Sequence, residues 1–294
     1  MTDTILPFII ESSGLRGRLV RLDSVLDKIL EAHGYIEPVA RLTAELATMA
    51  VMLGSMLKYE GIFTLQVQTE GAIKILVSDF TSAGDLRACA TLDKDFMTED
   101  QGASLLGKGY VAFTVDQGEN TERYQGIVEL SPGGLLESIQ TYFTQSEQIR
   151  TGVRMAVSRI DGRWRGAAIM LQDMPEEGGI LPSEGVIVSA AEDDWRRAMI
   201  LLQSCTDEEL LSASIDGEDV LFRLFHEDGV RVFDKKPAQK GCRCTMEKIG
   251  GILSTMPPDD IAHMAENGRI TVTCEFCNHD FSFDPEAFRR NIKP

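Results

Sequence analysis

IFTLQVQTEGAIKILVSD, Ile62 to Asp79, is the stretch whose reading decides the fold. Phe63, Leu65 and Val67 alternate with Thr64, Gln66 and Gln68, the period of a strand with one face buried. AIKILVSD, Ala72 to Asp79, is a second strand, and Glu70-Gly71 between them suits a hairpin turn. Working outward, strands are predicted in DLRACAT (Asp85 to Thr91), YVAFTVD (Tyr110 to Asp116), RYQGIVEL (Arg123 to Leu130), VRMAVSRI (Val153 to Ile160) and WRGAAIML (Trp164 to Leu171). Asp161-Gly162 joins the last two as another hairpin, and a helix from about Leu135 to Gln148 interrupts the series. Tight turns between strands, with helices segregated, predict an antiparallel α+β domain and argue against a doubly wound parallel sheet.

Upstream, Asp23 or Ser24 can cap a helix carrying Val25, Leu26, Ile29 and Leu30, and Gly34 stands where a helix ends. Pro38 suits the first turn of a longer helix reaching about Lys58, with Leu42, Leu46, Met49, Leu53 and Met56 on or near one face. Its most apolar run, LATMAVMLGSML from Leu46 to Leu57, has 12 residues. A membrane span needs roughly 20, so a buried core helix and no membrane partner are expected. The N-terminal MTDTILPFIIESSGLRG has neither the basic start nor the long apolar centre of a secretory signal, and a cytoplasmic location is the expectation.

The 294 residues are 43% hydrophobic and 26% charged, with 46 acidic against 29 basic side chains and a net charge of −17. Such a balance disfavours work that neutralises phosphates, so no nucleic-acid partner is expected. The charge is not evenly spread. Residues 175–229 hold 14 acidic and 3 basic residues, a net of −11. They open on the linker-like PEEGGILPSEG and continue into helices in which Trp195, Ala198, Met199 and Leu202 share one face, and Val220, Leu221, Leu224 and Phe225 another. Three segments result: an α+β core domain over 1–174, an acidic helical linker over 175–236 whose apolar stripes pack either stably or only conditionally, and a small C-terminal unit over 237–294 with 7 basic and 8 acidic residues. A unit so short has little core and often needs a staple.

Four of the six cysteines supply one. Cys242 and Cys244 in GCRCT, then Cys274 and Cys277 in TCEFCN, form a C-x-C and a C-x-x-C separated by 29 residues. In a reducing compartment such a cluster reads as metal ligands, and four thiolates at about 2.3 Å satisfy one tetrahedral Zn2+ per chain. The C-x-x-C falls on a turn between strands at Ile270 to Thr273 and Phe281 to Phe283; helices are predicted near Met246 to Leu253 and Asp259 to Glu266. The C-x-C is tighter than usual for a structural site. Zinc holds its ligands as thiolates, the form that peroxide oxidises, and oxidation removes both metal and the folding energy it supplies. An oxidant-triggered unfolding switch is therefore a candidate beside a purely structural site. Cys89 and Cys205 read as inert bystanders, and His279 as an unneeded substitute ligand. No phosphate-binding loop, dinucleotide fingerprint or histidine-based triad occurs, which argues against an enzyme.

The cysteine pattern, with RYQGIVEL, YFTQSEQ (Tyr142 to Gln148) and LFRLFHED (Leu221 to Asp228), resembles the redox-regulated heat-shock chaperone family HslO, the thirty-three-kilodalton chaperonins of bacteria. The resemblance spans nearly the whole chain. It implies an ATP-independent holdase for unfolding client proteins, inactive when reduced and zinc-bound. It also implies two disulfides on oxidation, Cys242 with Cys244 and Cys274 with Cys277, with zinc release, unfolding of the small domain and linker, and a tendency to form a homodimer. On that reading Trp195, Met199, Leu202, Leu224 and Phe225 become adaptable apolar client contacts once the self-repelling linker loosens. The rivals are a zinc-ribbon nucleic-acid binder and a thiol-disulfide oxidoreductase using Cys274 and Cys277.

Overall fold

A computed structural model describes residues 2–93, 105–118, 123–173 and 186–289, excepting the side chains of 186–190 and 289. The linker's opening segment, 175–185, lies outside the described residues. The chain divides into two compact units, Met1–Lys240 and Gly241–Pro294.

The first unit begins with β1 (Thr4–Ile10), β2 (Arg16–Leu22), α1 (Ser24–Glu31) and α2 (Glu37–Met56). The expected hairpin follows as β3 (Ile62–Thr69) and β4 (Ile73–Thr81), then β5 (Asp85–Leu92), β6 (Gly109–Asp116) and β7 (Tyr124–Glu129). Next come α3 (Leu135–Tyr142), extended by a π-helical turn at Phe143–Glu147, and the hairpin β8 (Arg150–Ile160) and β9 (Arg163–Asp173). The remainder is α4 (Val186–Ser204), α5 (Asp207–Leu211), α6 (Gly217–Phe225), β10 (Val230–Val232), β11 (Lys236–Pro237) and β12 (Gln239–Lys240). One sheet has the order β10-β1-β2-β9-β8 with β11 also on β1; the other runs β12-β5-β4-β3-β6-β7. Pairing is antiparallel except for β12 on β5, so the α+β class expected from the hairpins holds.

α2 lies between the sheets. Met49, Ala50 and Leu53 share one core with Leu65 and Val67 of β3 and with Val20, Leu22, Ala168 and Met170 of the other sheet. A helix enclosed on every side is apolar on every side, and its buried Thr43 and Thr48 return their hydroxyls to the carbonyls of Val39 and Ala44 at 2.8 Å. By length and composition α2 could cross a membrane, yet 72% of its most apolar window is buried within the protein, as expected of a core helix.

Two features escaped the sequence reading. The apolar N-terminal run forms β1 inside a sheet, although Pro7 can donate no ladder bond. Its carbonyl still accepts from the Phe233 N–H at 2.9 Å. The cap of α1 also differs from the expectation: Asp23 occupies the N-cap without a side-chain cap bond. Instead Asp3 Oδ1 accepts from the N–H groups of Asp23 and Val25 at 2.6 and 3.1 Å. A cap supplied by a distant strand leaves no local signature.

The acidic segment is packed against the first sheet on the face opposite α2. Leu202, Leu210, Leu221 and Phe225 form a second core with Leu6, Phe8, Leu19, Ile169 and Leu171. β9 thus contributes Ala168 and Met170 to one core and Ala167, Ile169 and Leu171 to the other, which is why AAIML is continuously apolar. Two glycines admit the packing. A Cβ on Gly17 would meet the Phe8 ring at 2.1 Å, and one on Gly152 would meet the Met199 sulfur at 2.2 Å. The stretch is not helical to its end, since Val230–Val232 and Lys236–Pro237 pair with β1.

Arginines of that sheet grip the acidic segment. Arg150 lies over the Trp195 ring at 5.3 Å and bridges to Glu192 at 2.7 Å, while Arg154 donates to the Cys205 carbonyl at 2.9 Å and pairs with Asp207. Arg21, 5% exposed, donates to the carbonyls of Ile215 and Ser212. Replacing Arg21 by alanine strips both carbonyls of their donor, at about 1–3 kcal/mol for each group left unsatisfied. Amide exchange across 207–225 is expected to accelerate in Arg21→Ala while that of α2 is unchanged; wild-type protection across 207–225 in the variant would refute this anchoring.

Candidate metal centre

The second unit consists of α7 (Met246–Leu253), α8 (Pro258–His263), β13 (Ile270–Thr273), β14 (Asp280–Phe283) and α9 (Glu286–Arg289). Its buried core is Leu253, Ile261, Ile270, Phe281 and Phe283, bordered by residues that include Cys244 and Cys274. Burial of so few side chains offsets little of the chain entropy lost on folding.

Each cysteine pair is placed by local backbone chemistry. Cys242 and Cys244 lie just before α7, whose first turn is capped by Thr245 accepting from the Lys248 N–H at 3.2 Å. Cys274 and Cys277 fill the turn between β13 and β14. There the Cys274 N–H donates to the His279 carbonyl at 3.0 Å, and the Asn278 N–H donates to the Cys274 carbonyl at 2.8 Å. Asn278 takes φ 55°, a left-handed conformation that asparagine tolerates.

The four sulfurs converge. All lie within 4.8 Å of one another, with Cys242 to Cys274 at 3.7 Å and Cys244 to Cys277 at 3.4 Å, and all four are half-buried thiols. Sulfurs about 2.3 Å from a tetrahedral ion stand about 3.8 Å apart, so the donor set fits one such ion and is consistent with zinc. As bare thiols they are unequal. Burial opposes ionisation of Cys242, but the Cys244 N–H and the three neighbouring thiols outweigh it and bring Cys242 down to about 7. Cys244 and Cys277 are pushed up, first by burial. A dication would remove this competition by favouring all four thiolates.

The remaining candidates fall elsewhere. His279 stacks edge-on against Phe281 at 4.7 Å and is not part of the metal-binding group found among the described residues. Cys89 is 2% exposed within β5, and burial pushes the Cys205 thiol up to about 11, so both read as inert. Of the proposed client contacts, Leu202, Leu224 and Phe225 are buried against the first sheet, with Trp195 and Met199 half-buried at its margin. The structure gathers the four cysteines in one unit and those five residues in the other.

Residues 3–284 match the family model described as Hsp33 protein. Relatives carrying the name 33 kDa chaperonin include one from Caulobacter vibrioides, 34% identical over 97% of this chain and 96% of its own, and one from Pseudomonas savastanoi, 35% identical over 96% and 91%. A third, from Escherichia coli, is 30% identical over 99% and 97%. The crystal structure of the 33 kDa chaperonin from Thermotoga maritima has the same fold, with a TM-score of 0.80 at 19% identity over 98% of this chain and 97% of that one.

Proposed function

The chain belongs to the Hsp33 family and is a chaperone, and from that premise we propose that its holding of unfolding client proteins is switched by the redox state of Cys242, Cys244, Cys274 and Cys277. The observation that carries the reading is four sulfurs within 4.8 Å of one another in a unit whose described residues bury only the core of Leu253, Ile261, Ile270, Phe281 and Phe283. Zinc on that set supplies the folding energy the core lacks; the cysteines hold it as thiolates, and peroxide consumes thiolates. For each disulfide two thiolates lose two electrons to one hydrogen peroxide, whose O–O bond breaks as the S–S bond forms, and two protons from solvent complete two waters.

The pairing decides whether the event releases or staples the unit. Sulfurs of different segments lie close to each other, Cys242 to Cys274 and Cys244 to Cys277. Disulfides across them would replace the metal clamp by a covalent one. Pairing within each segment, Cys242 with Cys244 and Cys274 with Cys277, removes the clamp, and this is the pairing we assign to the active form. The acidic segment then undocks, Trp195, Met199, Leu202, Leu224 and Phe225 become client contacts, and the activated chain tends to dimerise. The site of action is the cytoplasm, without ATP, nucleic acid or membrane.

The test is to treat the zinc-loaded full chain with hydrogen peroxide at mildly elevated temperature. One zinc per chain should be released as four thiols disappear, and only the oxidised protein should suppress aggregation of a thermally unfolding client. Equal suppression by reduced and oxidised protein rejects the switch, and peptide maps showing cross-segment disulfides in the active form reject the release mechanism. Turnover of a small disulfide substrate by the reduced, metal-free chain would instead mark an oxidoreductase.

A further inference from the structure

The inner face of the first sheet changes character along its strands. On β2 the positions facing α2 run Leu22, Val20, Arg18, Arg16, and on β9 they run Ala168, Met170, Gln172. Toward one end the apolar core is therefore replaced by cations and an amide without a change of face. There the sheets part around a cavity of about 650 Å³, walled by Leu53, Phe63, Phe113, Tyr142 and Phe143, and contiguous with a second of about 420 Å³. The two share Arg18, Lys58 and Lys236, and Arg16 joins them on the first. Both volumes fall in the range of small-ligand sites.

Charge makes the place unusual. In a chain of net charge −17 most arginines of this unit meet carboxylates: Arg87 with Asp79, Arg150 with Asp173, Arg197 with Glu227 and Asp228. Arg16, Arg18, Lys58 and Lys236 have no carboxylate partner among the described residues. Arg18 is half-buried and donates from Nη1 to the Gly17 carbonyl at 2.9 Å, while burial and the neighbouring Arg16 both disfavour its charge. Glu147, the acidic residue of the first cavity's lining, is taken up by accepting from the hydroxyls of Tyr124 and Tyr142 at 2.5 and 2.7 Å. Those bonds leave its charge in place, but among the described residues it makes no ion pair with any of the four cations. Unpaired cations beside an aromatic and aliphatic wall are complementary to a ligand with one charged and one apolar end.

We propose that this inter-sheet cavity binds a single-chain anionic amphiphile, its carboxylate or phosphate head held by Arg18, Lys58 and Lys236 and its tail against Phe63, Phe113 and Phe143. The head lies where the two cavities meet and the tail in the larger one. The site is independent of the four cysteines.

Calorimetric titration of the reduced, zinc-loaded full chain with dodecanoate tests this, with dodecyl phosphate and uncharged dodecanol in parallel. One saturable site per chain is expected for the anions, weakened by added salt and absent for the alcohol. Tighter binding of dodecanoate or of dodecyl phosphate identifies the head group. Arg18→Gln and Lys236→Gln should each weaken binding about tenfold, the effect of losing one charge-assisted contact. Lys236 is exposed, so its variant carries the test if Arg18→Gln fails to fold, and thermal unfolding midpoints establish which variants are native. Non-saturating uptake, equal binding of dodecanol, or binding unchanged in folded variants overturns the proposal.

Discussion

Cys274→Ser should leave the unit at 241–294 unfolded in zinc-containing, reducing buffer while the first unit stays native. Structural zinc contributes about 10–16 kcal/mol to folding in small metal-dependent peptides, more than the whole stability of many domains. Removing one of four ligands forfeits most of that, and the buried core left, Leu253, Ile261, Ile270, Phe281 and Phe283, cannot compensate. Three readouts apply: zinc per chain falling well below one, loss of amide protection at Ile270 and Phe281, and early proteolysis within 241–289. Cys89→Ser is the matched control, since Cys89 is buried in β5 of the other unit and should keep full zinc occupancy. A Cys274→Ser chain that retains one zinc and wild-type protection at Ile270 would show that the four-thiolate set is not what folds this unit.

Phe225→Ala should uncouple the acidic segment from the sheet without touching the cysteines. Phe225 is fully buried and stacks on Phe8 at 6.1 Å and 22°, over the space that Gly17 leaves open. Truncating a buried phenylalanine costs about 3–5 kcal/mol, a large share of what holds these helices to a surface. Exchange protection should fall across 198–225 and remain in α2, and the reduced, zinc-bound variant should acquire holding activity with no loss of zinc. Phe222→Ala, on the exposed side of α6 with 61% accessibility, should do neither. A Phe225→Ala protein with the helices undocked and no activity until oxidised would separate client binding from undocking. If that variant unfolds globally, Phe225→Leu gives the same comparison at smaller cost.

Legibility in the sequence followed the range of the interaction that creates each feature. The β3–β4 hairpin, α2 and the β8–β9 hairpin could be read because period, turn residues and Pro38 act within a few positions. The metal-binding set was legible because the spacing of Cys242, Cys244, Cys274 and Cys277 carries coordination chemistry whatever the surrounding fold. β1 was not legible, since it becomes a strand only by pairing with β2 on one side and with β10 and β11 on the other. Asp3 as the cap of α1, Arg21 as the anchor of Ser212 and Ile215, and the cation-lined cavity were equally hidden. Each joins residues distant in sequence, and no pattern at one end announces the other.

The sequence by itself therefore determined the α+β class, the four-thiolate cluster and the −11 charge of 175–229, all consequences of local period, spacing or count. Only the tertiary structure decided what that acidic segment does. Its charges alone describe a solvated, self-repelling chain. Phe225 on Phe8, Met199 over Gly152 and the arginines of β2 and β8 make its described helices a second covering layer of the first sheet, because burial and pairing with a surface made elsewhere in the chain outweigh local repulsion.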